Sequence, residues 1–432
     1  MMVRTTPESE SMASSSRRSM ARHRGMSTAE LFRPRDSEDA GRVSFVELFY
    51  DLVFVFSIVQ LSHTMSSRYT PRGIAETSVL ILAVWWVWIY TTWVTNWLNP
   101  ESLAGRVLMF ALMGGGLILS SSIPEAYGSR KFQFAGAHVA IQFGRSLYVA
   151  ALMRWEGREV HALNFFRIAA WLGFAGIFWL AGAGRLGVWC VALAIEYVGP
   201  FALFWVPGLG ASEPLDWDVL GDHMAERCAL FVIICLGETI LATGQIFAAS
   251  AQTIIELVAF LVAFATSVAL WWTYFRFSHR QAARLISETE RPGEVARLIF
   301  TFAHVPIVAG VIVAAVGMRF VLADPRGTSP DRATAVAGGP LVFLAGSLWF
   351  KSVVSGQIIL CHAVGVFALT LLFVLGFYCP LNLLHVAAIA LAALLAVAFW
   401  EHHFEHSKPR GALVGGDDDD LVVNTCNIGL EA

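Results

Sequence analysis

The sequence predicts an all-α polytopic membrane protein of about 12 transmembrane helices in two parallel six-helix repeats. Three observations predict it. Of 432 residues, 56% are hydrophobic and only 15% charged, with mean hydropathy +0.61; a soluble domain carries about a quarter charged residues. Several windows reach the roughly 20 apolar residues that a membrane-crossing helix needs, and none alternates with the two-residue period of a barrel strand. The two halves of the chain also resemble each other.

Residues 1–43 are polar and rich in Ser and Arg, the composition of a disordered tail, without the apolar core and cleavage site of a signal peptide. The first repeat is expected over 44–206, with spans at 44–63, 75–97, 105–122, 133–153, 164–183 and 186–206. A linker loop follows at 207–225. The second repeat is expected over 226–400, with spans at 226–248, 253–276, 295–322, 338–356, 358–378 and 381–400. Residues 401–432, with "GGDDDD", form a second polar tail.

Arg and Lys set the orientation. The N-terminal tail, Arg154, Arg158 and the loop "RFSHRQAARLISETERPGEVAR" concentrate basic residues on one side, against Arg68, Arg72, Arg130, Lys131, Arg185, Arg326 and Arg332 on the other. Both termini are therefore expected in the cytoplasm, the protein being multi-pass in the cell membrane. The net charge of −3 offers no argument for nucleic acid, and no nucleic-acid partner or cofactor is expected. The cysteines show no CxxC pairing and read as small helix residues.

The repeat rests on order and spacing. "LAVWWVWIYTTW" in the second span matches "VALWWTYFRF" in the eighth; Asp51 precedes Trp85-Trp86 by nearly the interval at which Glu238 precedes Trp271-Trp272. "RVLMFALMGGGLIL" matches "RLIFTFAHVPIVAG", and "GRSLY" matches "GSLWF". Chance likeness between apolar helices is the alternative. An even number of spans per half gives both halves the same orientation, hence parallel repeats about the membrane normal.

"FVELFYDLVFVFSIVQL" sets Glu47 and Asp51 at the mouth of an apolar run. An ionisable group at a helix centre costs about 2.5–3.5 kcal/mol on insertion scales. Spaced i, i+4, the two share one face, which should turn to the bundle. In the seventh span Arg227, Glu238 and Gln245 fall on one stripe, with Glu226 beside Arg227, and Gly237 is expected to admit a close helix. Arg145 and Lys351 are the expected counter-charges for Asp51 and Glu238, His138 and Glu196 are further buried-looking polar residues, and His304 lies two residues before Pro306, which removes a backbone donor. His402, Glu405 and His406 could bind zinc, but the order is not HExxH and no fourth ligand is evident; a wet interfacial cluster is the other reading.

"ELFYDLVFVFSIVQLS", "WWVWIYTTWVTNWLNP" and "HMAERCALFVIICLGETILATG" resemble the low temperature requirement A (LtrA) family of bacterial membrane proteins, the likeness running from about residue 42 to 400. The resemblance implies a polytopic membrane protein and no particular reaction. From the residues, the expected role is movement of a small cation or a proton-coupled solute, with Glu47, Asp51, Glu226, Arg227, Glu238 and Gln245 handling the ion and Arg145, Lys351 and His304 as counter-charges or pathway groups. No catalytic residue is singled out. The competing readings are a membrane-embedded enzyme acting on a lipid or hydrophobic metabolite, a non-transporting stress or assembly factor, and acids that serve packing alone.

Overall fold

Apolar runs and their caps set the helix limits. The computed structural model describes residues 31–35, 41–213, 216–276 and 279–407, without the side chains of 279–280 and 404–407. Among these are thirteen helices and no strand: α1 Phe45–Ser67, α2 Pro71–Trp97, α3 Leu103–Ser122, α4 Lys131–Trp155, α5 Glu159–Ala181, α6 Leu186–Val198, α7 Gly221–Ala249, α8 Ile254–Phe275, α9 His279–Glu288, α10 Pro292–Ala323, α11 Pro330–Ser355, α12 Leu360–Tyr378 and α13 Leu383–Ser407. Ten are long and apolar enough to cross a membrane. The remaining three are α4, 25 residues but less apolar, α6, of 13 residues, and the polar α9 of 10 residues.

Capping residues and N-terminal prolines set several helix starts, two of them, in α2 and α11, earlier than expected. Ser44 opens α1 through a capping box: its Oγ accepts from Glu47 N, and Glu47 Oε2 accepts from Ser44 N at 2.9 Å. Thr70 caps α2, whose first residue is Pro71, and Pro330 similarly begins α11. The sixth span was expected to reach 206, but α6 stops at Val198. Gly199-Pro200 follows, and Pro200 has no N–H to continue the ladder. The chain then turns back through Leu203 and Phe204, both at positive φ.

The expected disordered tail also needs correction over its last part. Leu31, Phe32 and Arg33 are buried as a strap across the end of α2. Arg33 N donates to Trp97 O and Asn99 N to Leu31 O, both at 2.9 Å, and the Arg158 guanidinium lies 3.9 Å from the Phe32 ring centre. A Ser- and Arg-rich average conceals this three-residue anchor.

Helix α1 is central, against α2, α3, α7 and α10. The tightest pair is α10 with α11. A Cβ at Gly310 would strike the Phe343 backbone and one at Gly339 the Ala314 backbone, so only glycine permits this approach. Within α10, Arg297–Phe302 winds as a π-helix, Ala303 N reaching back to Leu298 O. Pro306 lies four residues beyond Phe302 and cannot donate to it, which favours the wider turn. The matched tryptophans behave differently in the two halves: Trp85 and Trp86 are buried, whereas Trp271 and Trp272 are 45% and 46% exposed.

Candidate functional site

One set of buried charges gathers along the seam between α1 and α7. Three contacts define it: Glu47 Oε1 with His223 Nε2 at 2.8 Å, Asp51 Oδ2 with Arg227 Nη1 at 2.7 Å, and Ser62 Oγ donating to Glu238 Oε1 at 2.6 Å. All three pairs are 176 residues apart in sequence. A constant offset means that the two helices run in the same direction, side by side and in register.

The first layer lies at the N-terminal ends of both helices. Glu47 is fully buried and takes Arg33 Nη2 at 2.9 Å besides its His223 contact. Arg33 also donates to Thr95 O and Arg42 O, so the strap adds a satisfied cation to an acid that His223 already contacts. Asp51 Oδ1 accepts from Trp88 Nε1 at 2.9 Å. Asn96 ties His223 to the α7 entry, its Nδ2 3.1 Å from His223 Nδ1 and its Oδ1 accepting from Leu220 N. Arg227 is buried, packs 5.3 Å from the Trp88 ring centre and also donates to Glu47 O. Its Nε and Nη2 are buried with no protein partner. Those unpartnered donors carry a desolvation cost in low dielectric, which the short bond to Asp51 must offset.

The second layer is eleven residues on, about 16 Å at 1.5 Å per residue. Here Glu238 meets Arg319 Nη2 at 2.5 Å as well as Ser62. Glu238 is buried while the Arg319 side chain is 16% exposed. Between the layers the seam is apolar and closed: Phe54 and Phe231 are buried with ring centres 6.3 Å apart, and Trp88 packs 4.2 Å from Phe231.

Asp51 and Glu238 therefore do not converge at one depth, as equivalent repeat positions would. Each has its own arginine. Arg227 answers Asp51; Arg145 instead donates to Gln142 Oε1 at 2.5 Å, Thr91 Oγ1 and Val87 O. Lys351 pairs with Glu401 at 2.7 Å, both buried. His304 sits against the π-segment, with Nδ1 on Ile299 O and Nε2 on the Tyr274 hydroxyl, both 2.9 Å; Ile299 lies seven residues before Pro306, so its carbonyl is not one that the proline leaves without a donor. Thr301 O in the same segment takes Trp85 Nε1. His138 and Glu196 form a buried pair at 3.0 Å, joined by Trp179 Nε1.

Other expectations fail. Gln245 is exposed and off the seam, because the stripe continues past the end of the packed interface. Glu226 is exposed and accepts only a 3.3 Å bond from Val43 N. A Cβ at Gly237 would meet nothing, so that glycine admits no close helix. His402 is exposed, while the side chains of Glu405 and His406 lie outside the described residues. Among the described residues no three His, Cys, Asp or Glu side chains gather as a metal site.

Sequence reasoning missed His223, Arg33, Arg319, Asn96, Trp88 and Glu401. Arg319 carried a usable signal: it is a lone cation in the apolar run "VIVAAVGMRFVLA". His223 stands four residues before Arg227, repeating the Glu47–Asp51 spacing on the partner helix.

The long apolar helices define an integral membrane protein, and the paired charges mark its interior seam. The chain belongs to the bacterial low temperature requirement A protein (LtrA) family, whose model matches residues 42–399. It is similar to "Uncharacterized protein RA0937" of Rhizobium meliloti (strain 1021), with 40% identity over 375 residues, covering 85% of this chain and 91% of that protein. No solved structure matches.

Proposed function

We propose that the protein moves a small cation or a proton-coupled solute along the α1–α7 seam. In this reading it crosses a cell membrane twelve times, in two parallel six-helix repeats, with both termini cytoplasmic. The observation that carries the reading is the pair of carboxylate–arginine layers, Asp51–Arg227 on the α1–α7 register and Glu238–Arg319 where that register sets Glu238 against Ser62, separated by an apolar stretch. A protein needing only cohesion gains little from buried ion pairs, since apolar replacements of similar volume are often as stable. A carboxylate held by a guanidinium is a switch: a proton or cation at the acid competes with the arginine, and the displaced cation must find another partner. Arg227 has the Glu47 carbonyl and the Trp88 face within reach.

The repeat draws support from the packing. Helix α1 meets α2 and α3, α2 meets α4 and α6, and α3 through α6 pair in sequence. Likewise α7 meets α8 and α10, α8 meets α11 and α13, and α10 through α13 pair in sequence. The polar α9 is an insertion in the second half.

The test is flux in proteoliposomes, with a trapped pH dye and imposed proton, sodium or potassium gradients. Wild type, Asp51→Asn and Glu238→Gln are compared after normalisation to folded protein. Flux that falls or loses its pH dependence in either variant is expected. Unchanged profiles in both would leave the acids a packing role and overturn the reading.

A further inference from the structure

A cavity of about 80 Å³ lies to one side of the seam, in a pocket of about 770 Å³ once the space at its open mouth is included. Its walls are mostly apolar, from Tyr90 and Trp93 on α2, Phe165 and Ile168 on α5, and Phe204 and Trp217 in the connection between the halves. Three features separate it from a packing defect. First, Leu203 and Phe204, which line it, are consecutive non-glycine residues at φ 49° and 51°, a sparsely populated backbone state that clusters at ligand sites. Second, Ser212 in its wall is 2% exposed, and its Oγ has no partner. Third, Arg297 reaches it from the π-helical segment, donating to Pro200 O at 2.5 Å and lying 5.4 Å from the Phe201 ring centre; Glu294 is its nearest acid in the wall, without a direct salt bridge between them among the described residues. Glu294, also in the wall, faces Arg291 at 3.6 Å.

The surroundings indicate the route. Phe201, Trp205 and Phe166, neighbours in sequence of the lining residues, are 61%, 55% and 46% exposed. On a membrane protein such a rim faces acyl chains. The cavity also lies near the N-terminal ends of α1 and α7, since Trp93 Nε1 meets Thr301 Oγ1 in its wall only a turn from the Asn96–His223 contact. That is one end of the bundle, where headgroups meet chains. An apolar slot with a guanidinium in its wall that makes no direct salt bridge among the described residues suits a molecule with one acyl chain and an anionic head.

We propose that this cavity binds the chain of a long-chain anionic amphiphile, its head at Arg297 and Ser212. The claim concerns a site apart from the seam and stands whether or not the seam carries ions. The shared chemistry has two sources, a free fatty acid and one chain of an anionic phospholipid. The test uses purified full-length protein in neutral phosphatidylcholine nanodiscs. One arm adds a fatty acid with a diazirine near its terminal methyl, the other a phosphatidylglycerol carrying the same group on one chain. Photolysis and peptide mapping locate the label. Label on peptides holding Phe165, Ile168 or Phe204, displaced by unlabelled palmitate in one arm or phosphatidylglycerol in the other, supports the proposal and identifies the source. Arg297→Gln should weaken displacement by about tenfold or more, as loss of a charge-assisted hydrogen bond requires. Arg297→Lys should restore most of it, and Ile168→Trp should block labelling by filling the slot. Each variant is checked for an unchanged unfolding midpoint; where Ile168→Trp fails to fold, the Arg297 pair decides. Label spread evenly over lipid-facing residues such as Phe264 and Phe367, or displacement indifferent to Arg297→Gln, would overturn it.

Discussion

Replacing either member of the Asp51–Arg227 pair should destabilise the protein, and the two replacements should not cost the same. The pair is buried on both sides, 0% and 2% exposed, with a 2.7 Å contact. Removing one partner of a buried ion pair costs about 3–5 kcal/mol, because the other charge is stranded. Asp51→Asn strands Arg227, whose Nε and Nη2 already lack partners. A guanidinium cannot shed its proton in the physiological range, and the Glu47 carbonyl and Trp88 face that remain to it are contacts it already makes, so a cost of about 3–5 kcal/mol is expected. Arg227→Met strands Asp51 instead, which keeps the Trp88 indole bond and can take up a proton. Arg227→Met should therefore cost less, and its cost should shrink as pH falls, whereas that of Asp51→Asn should hardly change. Asp51→Asn with Arg227→Met should recover most of the loss, giving a coupling energy of about 2–3 kcal/mol, the upper part of the range for residues in contact. Reversible unfolding in mixed micelles at two pH values measures all four proteins. Equal, additive losses below about 1 kcal/mol would refute the reasoning, since the pair would then be no better buried than a surface bridge.

Glu238→Gln should be milder, about 1 kcal/mol by the same assay, because Arg319 is partly exposed and the amide still accepts from Ser62. Arg33→Ala should cost about 3 kcal/mol by uncovering Glu47, and hydrogen exchange at the N-terminal end of α1 should rise with it. Gly310→Leu should destabilise by at least about 2 kcal/mol, since its Cβ meets the Phe343 backbone, whereas Gly237→Ala, with open space around it, should be neutral in the same melts. In a background with Cys190, Cys379 and Cys426 replaced by alanine, cysteines at Ser129 and Glu156 should label from opposite sides of the membrane; labelling from one side would mean that α4 does not cross.

What the sequence disclosed depended on contrast. Asp51, Arg227 and Glu238 were legible because a charge in an apolar run has few reasons to be there. Their partners were not, because pairing depends on the register between α1 and α7, and either helix alone is compatible with many registers. The Arg145 expectation failed for that reason: it matched the repeat but not the seam. The Trp271-Trp272 match likewise gave correspondence without burial, since the pair faces outward where Trp85-Trp86 faces in. Arg33 was obscured by the composition around it. The end of α6 at Gly199-Pro200 was readable from local rules, yet the apolar stretch "FALFWV" beyond it argued for continuing the helix.

The register of the seam bears on the helices that hydropathy leaves open. Because α1 and α7 run the same way, an even number of crossings separates their starts. Four of the six intervening helices, α1, α2, α3 and α5, are long and apolar enough to cross. Helices α4 and α6 therefore both cross or both do not. The low hydropathy of α4 has a structural cause: His138, Gln142, Arg145 and Ser146 are all buried, so its polar residues face protein and lipid never meets them. At 25 residues it is about 37 Å long, enough for a hydrocarbon core of about 30 Å. Helix α6 has only 13 residues, about 20 Å, but the chain continues through the folded turns of 199–213, held by Trp171 Nε1 on Trp205 O and by Arg167 on Leu209 O. The polar backbone of these turns is bonded internally, Phe204 N to Gly199 O and Ser212 N to Leu203 O among the bonds, as non-helical backbone beside lipid requires, and the turns form the wall of the lateral cavity. The short sixth helix and the cavity thus have one origin: α6 gives way at Gly199-Pro200 to a folded turn instead of further helix, and the space this leaves is the slot beside Arg297.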